Sequence, residues 1–78
     1  MHVQDNKKDI WLGTLSSGLI KLDAQNNIKS VFPEMSDGPY SSRAVRSILQ
    51  DRKGRYWVGT RDAGLFSFNS LNGRSKLI

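Results

Sequence analysis

Apolar residues in this chain come in short runs that end by alternating with polar ones. Gly64-Leu65-Phe66-Ser67-Phe68 and Gly18-Leu19-Ile20-Lys21-Leu22 both do so, and a period of two marks a strand with one packed face. Turn-forming clusters separate the runs: Asp51-Arg52-Lys53-Gly54, Arg61-Asp62-Ala63-Gly64 and Asn69-Ser70-Leu71-Asn72-Gly73. No stretch keeps helical spacing over about 11 residues without an interrupting Gly, Pro or Asn. The pattern predicts an all-β chain, with strands at about 2–4, 10–14, 18–22 and 28–32, and again at about 45–50, 56–60, 64–69 and 75–78. Residues 33–44, with Pro33, Asp37, Gly38, Pro39 and three serines, connect the two groups.

The two groups are copies. Ile10-Trp11-Leu12-Gly13-Thr14 returns as Tyr56-Trp57-Val58-Gly59-Thr60, an offset of 46 residues. At that offset Gln4-Asp5 falls on Gln50-Asp51, Lys7 on Lys53 and Gly18-Leu19 on Gly64-Leu65. Across residues 2–23 against 48–69, eight of 22 pairs are identical without a gap. Most matches are Trp, Gly, Asp and Thr, residues with particular structural uses, so chance is a poor explanation. Such a period fits propeller blades and some helical repeats, and the strand pattern selects blades. The expected architecture is two consecutive four-stranded antiparallel blades of an incomplete β-propeller: 1–32 with a truncated opening strand, the connector 33–44, and 45–78. Trp11 and Trp57, each just before a strand glycine, are expected to be mostly buried. Gly13 and Gly59 are expected to admit a bulky neighbour from the adjacent blade, with a Trp as candidate. Gly54 closes a hairpin that wants positive φ, and Lys8 stands there in the first copy.

These residues resemble the two-component regulator propeller repeat. Its pattern is an aliphatic strand ending in Asp, a Gly turn, an aromatic-Trp-aliphatic-Gly-Thr strand, then Gly-Leu and alternating aromatics. Val45-Arg46-Ser47-Ile48-Leu49-Gln50-Asp51, Gly54, Tyr56-Trp57-Val58-Gly59-Thr60 and Gly64-Leu65-Phe66-Ser67-Phe68 follow it. The first copy keeps Trp11, Gly13, Thr14 and Gly18 but has Lys8 for the turn glycine. The resemblance implies a periplasmic sensor propeller within a larger membrane-anchored protein, ahead of a histidine kinase or other output module. It also implies a carbohydrate as the ligand class.

Composition narrows the chemistry. The 78 residues contain no cysteine and a single histidine, His2, which excludes disulfides and the usual zinc sites. No calcium loop, nucleophile motif or phosphate loop occurs, so no catalytic residue, metal or cofactor is expected. No apolar run reaches the roughly 18–20 residues of a membrane span, and the first residues lack a signal-peptide pattern. A chain of this kind is either cytosolic or cut from a longer, targeted one, with membrane attachment only through segments outside it. Net charge is +5, and residues 45–78 hold seven basic side chains against Asp51 and Asp62. No aromatic residue alternates with these charges as a stacking platform requires, so no nucleic-acid partner is expected. Strand alternation sorts the loops onto two ends. One end gathers Tyr40, Ser42, Arg43, Arg61 and Asp62, the candidate ligand-binding set, with Leu15 and Ser16; the other gathers Arg52, Lys53, Arg55 and Arg74, with Lys7 and Lys8. The competing readings are a structural or protein-interaction pair that assembles with further blades or identical chains, and a small basic nucleic-acid binder.

Overall fold

The computed structural model describes residues 2–78. They form ten strands: β1 (His2–Gln4), β2 (Ile10–Gly13), β3 (Leu19–Leu22), β4 (Ile28–Phe32), β5 (Met35–Asp37), β6 (Tyr40–Ser42), β7 (Val45–Gln50), β8 (Tyr56–Thr60), β9 (Leu65–Asn69) and β10 (Arg74–Leu77). Strands β1–β4 and β7–β10 make two four-stranded sheets in simple meander order, and every pairing is antiparallel. The connector is more ordered than its composition suggests: β5 and β6 form a two-stranded hairpin. Met35 is buried in the core, and Ser36 and Asp37 bond to Ser75 and Leu77 of β10.

One side-chain device shapes both copies. The Oδ1 of Asp5 accepts the N–H groups of Lys7 and Asp9 at 2.9 Å each, and that of Asp51 accepts those of Lys53 and Arg55 at the same distance. Each aspartate thereby closes the turn after the inner strand, as Asx turns do. Its other oxygen accepts the indole N–H six residues on: Trp11 to Asp5 at 2.9 Å, Trp57 to Asp51 at 3.1 Å. Lys8 and Gly54 occupy the same left-handed position in these turns, with φ of 67° and 83°. At the opposite end, Thr14 and Thr60 hydroxyls donate to the carbonyls of Gly18 and Gly64, at 2.8 and 2.6 Å, and shape the loops after β2 and β8.

The sheets stack face to face, with the inner strand β7 against β1 and β2. The inward face of the first sheet carries Trp11 and Leu19, both fully buried, with Val3 and Phe32 beside them. It lies on Tyr56, Val58, Phe66 and Phe68 of the second sheet, each no more than 5% exposed. The Trp11 ring is 4.9 Å from Tyr56 and 5.6 Å from Phe68, centroid to centroid. A close approach explains Gly13: a Cβ there would lie 2.7 Å from Val45 Cγ1 of the second sheet. The bulky neighbour is thus a valine and not a tryptophan, and Gly59 instead sits against Ser47 of its own sheet. Trp57 is partly buried, less deeply than the fully buried Trp11. Its turn and hydrogen bond repeat those of Trp11, but its face carries no second sheet.

Candidate functional site

The loop-rich end is pinned by three backbone bonds, the first two between the sheets and the third within the second. Val45 N–H donates to Thr14 O at 2.7 Å, Gly18 N–H to Arg43 O at 2.9 Å, and Arg61 N–H to Ala44 O at 3.0 Å. Ser42, Arg43, Arg61 and Asp62 of the candidate set are thereby brought to one corner, but not all remain open to a ligand. Ser42 is buried; its hydroxyl bonds the Asp62 carboxylate and accepts the Ala44 N–H at 3.1 Å. That pair holds the β6–β7 corner against the β8–β9 loop, which removes Ser42 from the accessible set. Arg43 and Arg61 are exposed above this fixed backbone, and the Arg43 guanidinium lies 3.9 Å from Glu34. Tyr40 is about half exposed, on the same side of β6 as Ser42 and opposite Asp37 in the hairpin.

The other end holds a cleft of about 600 Å³, bounded by Asp37, Lys53, Arg55, Asn72, Arg74 and Lys76. Tyr56 and Phe68 reach its floor. Sequence reasoning missed this cleft because its walls come from two turns and the distant hairpin, brought together by folding alone.

Between the sheets lies a polar knot. Asp5, only 7% exposed, accepts the Trp11 indole N–H and, across the interface, the Tyr56 hydroxyl at 2.8 Å. Burial works against the Asp5 charge, but hydrogen bonds from Trp11, Tyr56 and the backbone of Asp9 and Lys7 outweigh it. Its carboxyl titrates below the ordinary aspartate value. The same contact, after burial, pushes the Tyr56 phenol well above its usual range. Asp9 is buried too and lies between Lys21 and Lys29, at 3.5 and 3.2 Å. The bond from Trp57, with those from the Arg55 backbone and side chain, holds the Asp51 carboxyl at about 2. These groups are committed to one another, an arrangement that serves stacking more than chemistry. Among the described residues no group of three or more His, Cys, Asp or Glu side chains is placed to hold a metal ion.

No curated protein and no solved structure matches the chain. Residues 39–62 match the family model described as two component regulator propeller. The matched stretch runs from the β5–β6 turn through β7 and β8 to the loop that carries Arg61 and Asp62. Residues 39–62 are thus similar to a two component regulator propeller repeat, and the two stacked four-stranded antiparallel sheets have the architecture of propeller blades.

Proposed function

We propose that the chain is a blade pair from the ligand-recognising propeller of a two-component signalling protein, acting in recognition without turnover. In this reading it works in the periplasm as part of a larger membrane-anchored protein, and its ligand is an oligosaccharide. The observation that carries the reading is the pinned loop cluster. Three backbone bonds and the Ser42–Asp62 pair fix the corner on which Arg43 and Arg61 stand exposed. A preorganised backbone lowers the ordering cost of binding. Sugar hydroxyls need such polar groups beside aromatic surface, and Tyr40 supplies that surface on the neighbouring strand.

The test is a titration of the intact sensor domain with oligosaccharides. Arg43→Ala or Arg61→Ala weakens binding by more than roughly tenfold, since a hydrogen bond from a charged group contributes about 1.5–3 kcal/mol. Lys53→Ala and Arg74→Ala leave it unchanged. Equal small effects from both pairs reject the site. Large losses from the Lys53 and Arg74 variants alone move recognition to the cleft at the opposite end.

A further inference from the structure

We propose that the end of the blade pair opposite the loop cluster binds a small organic anion, a ring-bearing molecule that carries phosphate or carboxylate. The site is a groove in two parts. One is the cleft of about 600 Å³ on the second blade. The other, of about 250 Å³, lies between the blades, against Asn6, Lys7 and Lys21 of the first and Gln50 of the second. The two meet at Gly54, Tyr56, Ser70 and Leu71, which line both. Most of the wall comes from the β1–β2, β7–β8 and β9–β10 turns. The two blades stack through their sheet faces, whereas these turns lie at the strand ends. A blade added on either outer face therefore leaves the seam between these two open.

The charge of this groove is one-sided. Lys7, Lys21, Lys53, Arg55, Arg74 and Lys76 line it, against the carboxylates of Asp5 and Asp37. Both carboxylates are already engaged, Asp5 by Trp11 and Tyr56, and Asp37 Oδ2 by the Leu77 N–H at 3.0 Å. Of the cations, Lys21 lies 3.5 Å from Asp9 and Arg55 3.0 Å from Asp51. Lys7, Lys53, Arg74 and Lys76 have no carboxylate within ion-pair distance among the described residues. Unpaired cations around a concave surface concentrate anions there. A ring is matched by what lies beneath them: Leu71, 89% exposed at the junction, with Tyr56 and Phe68 on the floor. Ser70 and Asn72 add neutral polar groups. The volume suits a small ligand, whose pockets run to about 300–1,000 Å³. Gly54 leaves the junction clear. Lys8 takes the same left-handed position in the first copy, so this turn admits a side chain. A Cβ on Gly54 would meet nothing nearer than Gln50 Nε2 at 3.8 Å and Asn6 Nδ2 at 4.0 Å. A longer side chain there enters the groove. The inference does not depend on what the loop cluster binds.

Calorimetric titration of the 78-residue chain with 1-naphthyl phosphate, 1-naphthoate, 1-naphthol and inorganic phosphate tests it. At least one of the two naphthyl anions binds roughly tenfold or more tighter than naphthol or inorganic phosphate, since charge-assisted hydrogen bonds add to ring contact. The tighter of the two names the anionic group, and its affinity falls as salt rises. The double variant Lys53→Ala, Arg74→Ala loses roughly tenfold or more of that affinity, and Gly54→Asn loses it by filling the junction. Arg46→Ala, which removes an exposed arginine of β7 outside the groove, binds like the parent. Circular dichroism confirms folding; if Gly54→Asn is unfolded, Leu71→Ser replaces it and weakens the naphthyl anions without affecting inorganic phosphate. No binding of either naphthyl anion at millimolar concentration overturns the inference. So do equal affinities for naphthol, a loss in Arg46→Ala equal to that of the double variant, or full affinity in Gly54→Asn.

Discussion

Trp11 and Trp57 occupy equivalent repeat positions, make the same hydrogen bond to an aspartate six residues earlier, and differ only in what lies over them. Replacing each by alanine separates blade stacking from everything else in the repeat. Trp11 is fully buried, with Phe32, Tyr56 and Phe68 around its ring. Its removal opens a cavity between the sheets and deprives buried Asp5 of a donor. Large-to-small changes of this type cost about 3–5 kcal/mol. A chain of this length is stable by roughly 4–12 kcal/mol, so much or all of its stability is lost. Trp57→Ala removes a partly buried ring that Arg55 covers at 5.4 Å and the indole bond to Asp51, with no second sheet over it. With no cavity opened between the sheets, the loss stays at about 1–2 kcal/mol, well below that of Trp11→Ala. Urea unfolding followed by circular dichroism reads both. The expected order is a midpoint that collapses for Trp11→Ala and moves far less for Trp57→Ala. Equal shifts would refute the claim that the two sheets stack through Trp11.

Lys8→Gly relieves a left-handed lysine at φ 67° and should raise stability by up to about 1 kcal/mol, read by thermal melting. Gly13→Ala destabilises because its methyl meets Val45, and Val45→Ala in the same chain recovers part of the loss; a double variant no better than Gly13→Ala would contradict the close approach. Tyr56→Phe removes the cross-blade bond to Asp5 and costs about 1.5–3 kcal/mol by urea unfolding. Asp5 and Asp51 titrate lower in the folded chain than the ordinary 3.8, with Asp51 near 2. Their contribution is therefore complete above the unfolded pKa and is lost as pH falls through the folded ones. An acid titration should show stability flat above about pH 5 and falling from about pH 4 to 2, and less steeply so in Asp51→Asn.

Most of the strand pattern was legible because repeat, alternation and turn chemistry agree along the chain. Observed strands differ from the predicted ones by a residue at their ends, as at Leu65–Asn69 and Arg74–Leu77. The β5–β6 hairpin was not legible: three residues per strand, four of the six of them Ser or Asp, leave no period to read. The difference in depth between Trp11 and Trp57 escaped for a different reason. A repeat assigns equal environments to equivalent residues, whereas burial depends on whether a further blade covers them. At the loop cluster, strand alternation placed Ser42, Arg43, Arg61 and Asp62 at one end. The burial of Ser42 by Asp62, twenty residues away, followed only from the fold.

The central claim is that the two blades stack with Trp11 sealed between them. Nuclear Overhauser contacts from the Trp11 indole protons test it most directly. The account predicts strong contacts to the rings of Tyr56 and Phe68, whose centroids lie 4.9 and 5.6 Å away, together with slow exchange of the indole N–H held by Asp5. A Trp11 ring without contacts to either residue, or an indole proton that exchanges as fast as in an unfolded chain, would contradict it.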